Sequence, residues 1–76
     1  MEIKVLGSGC KKCQLLEKHV HQALESLGKD ANVEHVTDIN KIADYGVMGT
    51  PALVVDGNVV ISGRVPSAKK LEKHLQ

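Results

Sequence analysis

Hydrophobic and polar positions recur with two different periods along this chain of 76 residues. Short apolar runs bounded by polar residues or glycine predict four strands, at residues 2–6, 32–36, 52–55 and 58–61. Apolar residues spaced three and four positions apart predict three helices. The first runs from Cys10 or Lys11 to Leu27, the second from Ile39 to Tyr45, and the third opens at Pro66.

The order of these elements predicts the fold class. A strand, a long helix and a second strand form a unit that favours a parallel strand pair. Asp56-Gly57 between the last two strands is a strong hairpin signal. We therefore expect one α/β domain over residues 1–76, with the order β-α-β-α-β-β-α and a four-stranded mixed sheet. Helices should cover both of its faces, because both carry apolar residues.

The second helix is predicted in more detail. Thr37 or Asp38 is expected to cap its start. Ile39, Ile42 and Ala43 are expected to be its buried residues.

Composition and charge narrow the possible partners. Tyr45 is the only aromatic residue, so the core has to be built from aliphatic side chains. Ten basic and nine acidic residues leave a net charge of +1, which favours neither nucleic acid nor an anionic membrane surface as a partner. No apolar run reaches the length of a membrane span, and the first residues do not show the basic-then-apolar pattern expected of a leader. We expect a cytoplasmic monomer.

Both cysteines lie in Cys10-Lys11-Lys12-Cys13, at the turn from the first strand to the first helix. Glycines just before this motif, at positions 7 and 9, are expected to let the backbone bend there. Unpaired amides and the dipole at a helix N-terminus favour a thiolate. Cys10 is predicted at that terminus, and Cys13 on the apolar stripe almost one turn further. One exposed, activated sulfur beside a sheltered one is the arrangement that dithiol–disulfide exchange requires.

Lys11 and Lys12 lie between the two cysteines, where a cation opposes the helix dipole. They could simply form a solvated face. We interpret them instead as holding the pKa of the Cys10 thiol below its free value of about 8.5. His19 and His21 lie further along the helix and are predicted to be surface residues.

A wider pattern resembles a known superfamily. A strand, Cys-x-x-Cys opening a helix, and Thr50-Pro51 before a hairpin and a final helix resemble the thioredoxin/glutaredoxin superfamily. The likeness is greatest to its very small thioredoxin-like redox-active disulfide proteins, and residues 45–57 resemble that group's second conserved segment. The resemblance implies that the Thr50–Pro51 bond is cis and packs beside Cys10 and Cys13.

The resemblance also implies a mechanism and a set of partners. Cys10 would attack the disulfide of a protein substrate, and Cys13 would resolve the mixed disulfide. An external reductase or thiol donor would then reduce the Cys10–Cys13 disulfide, with no other cofactor. Gly9, Thr50 and Pro51 would contact the substrate, the backbone of Thr50 pairing with an extended segment. The acidic pair with which glutaredoxins help bind glutathione has no counterpart in residues 63–67.

Two other classes of function remain open. Small copper-chaperone-like domains also place Cys-x-x-Cys between a strand and a helix, so a soft-metal (copper or zinc) module is the alternative. Against it, that fold ends on a strand, Ser8 replaces its usual methionine, and Thr50-Pro51 would have no role. A structural zinc or iron–sulfur site needs about four ligands. The chain has only two cysteines, and the spacing of its four histidines does not match such a site, so we expect no metal. The third class is an interaction module with incidental thiols.

Overall fold

The computed structural model describes residues 1–7, 11–47 and 49–76. It contains every predicted strand and helix. The bounds are β1 Glu2–Leu6, α1 Lys11–Leu27, β2 Asn32–Val36, α2 Ile39–Asp44, β3 Ala52–Val55, β4 Asn58–Ser62 and α3 Ala68–Leu75.

The four strands form one mixed sheet in the order β2-β1-β3-β4. β1 is parallel to β2 and antiparallel to β3, and β3 is antiparallel to β4. The helix α1 provides the crossover that a parallel pair requires. Asp56 and Gly57 both have positive φ, at 49° and 85°, as a two-residue hairpin turn of this twist demands. The predicted fold class and strand directions are confirmed.

One face of the sheet packs against α1 and α3. Alternate residues of β1, Ile3 and Val5, are completely buried there. The helices contribute buried aliphatic side chains spaced three and four positions apart: Leu16, Val20, Ala23 and Leu24 from α1, and Leu71 and Leu75 from α3. This cluster is the larger of the two cores, and it fixes α1 against β1.

The opposite face is covered by α2. Leu6, Val36, Ala52 and Val54 from the strands pack against Ile42, so helices cover both faces as predicted. Asp38 caps α2, its Oδ1 accepting the backbone N–H of Asn40 at 2.9 Å. The prediction that Ile39 and Ala43 are buried is wrong: Ile39 is 77% exposed and Ala43 is exposed. A helix of six residues has fewer than two turns, and only Ile42 faces the sheet.

The start of α3 also differs from the prediction. Ser67 caps the helix, its Oγ accepting the N–H of Lys70 at 3.4 Å, and Ala68 is the first helical residue. Pro66 therefore precedes the cap instead of opening the helix. Its carbonyl accepts a hydrogen bond from His19 Nδ1 at 2.8 Å, which ties the turn to α1. His19 is thus partly buried and not the surface residue predicted, whereas His21 is exposed.

Within residues 1–7, 11–47 and 49–76, no helix combines the length and the apolar character needed to cross a bilayer.

Candidate active site

The turn from β1 to α1 is anchored on its strand side by Gly7. The N–H of Gly7 donates to the carbonyl of Val36 at 3.0 Å, which extends the β1–β2 pairing by one residue. The backbone bends at Gly7, as predicted, but it does so without a positive φ. Its lack of a side chain serves a different purpose, which the position of Cys13 explains.

Cys13 lies in the first turn of α1 and is completely buried, the sheltered position that its apolar stripe predicts. Its side chain lies directly over Gly7. A Cβ built on Gly7 would overlap Cys13 Sγ, and would lie 3.3 Å from Cys13 Cβ and 3.9 Å from Pro51 Cα. Cys13, Gly7 and Pro51, from three separate segments, therefore meet at one point.

Pro51 is the third residue at this point. It is buried, and the Thr50–Pro51 peptide bond is cis. The Pro51 carbonyl accepts the N–H of Gly63 at 2.9 Å, so the start of β3 is tied to the residue after β4. Thr50 itself is exposed. A buried proline beside the sulfur and an exposed threonine before it form the edge of the candidate site.

The remaining predicted site residues divide into two groups. Lys11 and Lys12 are the first two residues of α1, and both are exposed. The first turn of α1 contains no acidic residue to offset them. Cys10 and Gly9 lie outside the described residues. The structure therefore brings Cys13 and Pro51 together and places the two lysines at the same end of α1.

Sequence reasoning missed a cluster around Lys4, on the sheet face that α2 covers. Lys4 Nζ lies 3.7 Å from Glu34 Oε2 and 5.9 Å from the centre of the Tyr45 ring. The hydrogen bond and charge of Tyr45 raise the pKa of Lys4 above its ordinary 10.5, with smaller contributions from Glu34 and Glu2. The one available signal was strand alternation, which puts Lys4 on the same face as Leu6.

A cavity of about 440 Å³ opens between β2 and α2, beside this Lys4 cluster. Val36, Asp38, Lys41 and Asp44 are among the other residues that line it, and Cys13 and Pro51 are not. Side chains of both signs of charge line the cavity, so it favours no simple ion. Among the described residues, no group of three or more His, Cys, Asp or Glu side chains is placed to hold a metal ion.

Taken together, the topology and the site define the class. A β2-β1-β3-β4 sheet, with α1 following β1 and its buried first-turn cysteine facing the proline before β3, is a minimal thioredoxin fold. The family model described as "Thioredoxin domain" matches residues 1–76, and the chain belongs to that family.

Two relatives match the chain over nearly its full length. The thioredoxin of Methanothermobacter thermautotrophicus is 40% identical over 75 residues, which cover 99% of this chain and 97% of that protein. The thioredoxin of Methanocaldococcus jannaschii is 38% identical over 74 residues, which cover 97% and 85%. The resemblance inferred from the motifs is confirmed.

Proposed function

We propose that this protein is a thiol–disulfide oxidoreductase that reduces disulfides in other proteins through a Cys10–Cys13 dithiol. The observation that carries the proposal is the position of Cys13. In a member of the thioredoxin family, its sulfur is buried in the first turn of α1, over Gly7 and next to Pro51. A sulfur so enclosed is poorly placed to attack a protein-sized substrate, but it suits the resolving role.

The proposed reaction has two steps. The Cys10 thiolate attacks one sulfur of the substrate disulfide, a Cys10–substrate bond forms, and the other substrate sulfur leaves and takes up a proton. The Cys13 thiolate then attacks the Cys10 sulfur and releases the second substrate sulfur as a thiol. The substrate has gained two electrons and two protons, and the Cys10–Cys13 disulfide has formed. An external reductase or dithiol donor restores the reduced pair, so the cycle needs no further cofactor.

Thr50 and Pro51 are proposed to form the substrate-binding edge, together with Gly9. The exposure of Thr50 beside the buried Pro51 supports this assignment, since an extended segment could pair with the Thr50 backbone while its disulfide approaches the thiols. Lys11 and Lys12 are proposed to stabilise the attacking thiolate. Reduction of protein disulfides suits a reducing compartment, and we propose that a monomer acts in the cytoplasm.

Trapping tests both the reaction and the division of roles. Cys13→Ser should leave Cys10 able to attack but unable to be released, so mixed disulfides with protein substrates should accumulate. Cys10→Ser is the matched control and should trap far less. In the reduced wild type, a limiting amount of alkylating reagent should modify Cys10 before Cys13. Preferential modification of Cys13, or equal trapping by both variants, would overturn the assignment.

A further inference from the structure

Gly7 directly follows β1, at a position where a side chain would point towards α1. Ile3 and Val5 point from β1 towards α1 and fill the space between sheet and helix. Gly7 continues the same alternation two residues later. There the space is filled by Cys13 Sγ instead, at the point where a Cβ of residue 7 would stand.

The segments around this sulfur have little room to withdraw. The backbone of Gly7 is held by its hydrogen bond to Val36, and Pro51 by its hydrogen bond to the N–H of Gly63. Cys13 belongs to a helix whose next inward residues, Leu16 and Val20, are completely buried. A methyl group at position 7 would therefore be accommodated mainly by a shift of the Cys13 sulfur.

We propose that Gly7 is a positioning residue that keeps the Cys10–Cys13 pair reducing, by leaving open the space that the Cys13 sulfur occupies. This role rests on the proposed function. A disulfide holds its sulfurs about 2.05 Å apart with a restricted dihedral angle, so the oxidised pair can yield little. The reduced side chain of Cys13 can turn towards another staggered rotamer. A side chain at position 7 therefore penalises the disulfide more than the dithiol.

The redox arm of the test compares equilibrium constants in glutathione buffers. The balanced reaction oxidises the dithiol to the Cys10–Cys13 disulfide and breaks the bond of one glutathione disulfide, whose sulfurs take up both protons. Gly7→Ala should lower this equilibrium constant at least tenfold, which corresponds to about 30 mV towards a more oxidising pair.

Gly49→Ala is the matched control. Gly49 also lacks a positive φ, and a Cβ there would make an ordinary 3.5 Å contact with the Cα of Gly63. The control should stay within about threefold of the wild type, less than 0.7 kcal/mol at 1.4 kcal/mol per tenfold change.

The second arm separates the sulfur contact from general damage to the turn. The unfolding free energies of reduced Gly7→Ala, Cys13→Ala and the double variant form a double-mutant cycle. Gly7→Ala should cost the reduced protein more stability when Cys13 is present than when the sulfur is gone, although less than it costs the disulfide form. If Gly7→Ala alone does not fold, folding of the double variant gives the same answer.

The outcomes distinguish the inference from the function on which it rests. Additive free energies, or an unchanged equilibrium constant in a protein whose wild type does cycle, would overturn the role of Gly7. A wild type that never forms the Cys10–Cys13 disulfide would overturn both the proposed function and the redox role of Gly7.

Discussion

Replacing Lys11 and Lys12 by Gln should stabilise the fold while weakening its thiol chemistry. Both lysines are exposed in the first turn of α1, and no acidic residue accompanies them. Each cation opposes the helix dipole by about 0.3–1 kcal/mol, so the double variant should gain roughly 0.6–2 kcal/mol of unfolding free energy. In a domain of this size, each kcal/mol corresponds to a rise of about 4–8 °C in Tm.

The same double substitution should slow the reaction of the thiol. In the proposed function these two lysines stabilise the Cys10 thiolate, so the pKa of Cys10 should rise towards its free value of about 8.5 when they are replaced. Less thiolate is then present at neutral pH, and attack on a substrate disulfide should slow. Titration of the thiolate by its ultraviolet absorbance measures the pKa, and urea unfolding measures stability. Both differences should shrink at about 1 M salt, which screens exposed charges beyond roughly 3 Å.

The chain supplies a matched control for this pair. Lys69 and Lys70 are both exposed in the first turn of α3. The turn before α3 is tied to His19, about 9 Å further along α1 than Cys13. Replacing Lys69 and Lys70 by Gln should give a similar gain in stability without changing the Cys10 titration. Identical titration curves for the wild type and the Lys11/Lys12 variant would refute the electrostatic role, and a loss of stability would refute the dipole argument.

Two further predictions concern contacts that the sequence did not reveal. His19→Ala should cost about 0.5–1.5 kcal/mol in urea unfolding, because the Pro66 carbonyl loses its donor. His19→Asn, whose amide nitrogen can replace Nδ1, should retain most of that stability, and equal losses would contradict the hydrogen bond. The folded-state pKa of Lys4 is raised, so its stabilising contribution is complete below about pH 10.5 and is lost as the pH rises through the folded pKa. Tyr45→Phe should return the Lys4 pKa towards its ordinary value in NMR titrations of labelled lysine, and an unchanged Lys4 pKa would contradict the assignment to Tyr45.

Much of the fold was accessible from sequence because its signals are local. The helical period of α1 extends over 17 residues, and the two residues Asp56 and Gly57 define the hairpin turn. These elements and their order were enough to predict the sheet. The period failed in α2, where six residues are too few to decide whether Ile39 or Ile42 faces the sheet. At α3, the hydroxyl of Ser67 caps the helix and so displaces Pro66 from its first position.

In the candidate site, too, local features could be predicted from the sequence and contacts between distant segments could not. The burial of Cys13 follows from its place on the stripe of α1, and its proposed chemistry from the Cys-x-x-Cys spacing. Its proximity to Pro51, across Gly7, joins segments 38 residues apart, and only the family resemblance anticipated it. No sequence pattern predicts the steric role of Gly7 or the hydrogen bond of His19. Each depends on the position of a segment that is distant along the chain.

The central claim is that Cys10 and Cys13 exchange one disulfide with a protein substrate. Its most direct measurement is mass spectrometry, with peptide mapping, of the reduced protein after incubation with a disulfide-bonded protein and rapid alkylation. Both cysteines should become protected within one chain and joined to each other, while the substrate should gain two alkylated thiols for each chain oxidised. Persistence of two alkylated cysteines, or equal substrate reduction by Cys10→Ser, would contradict it.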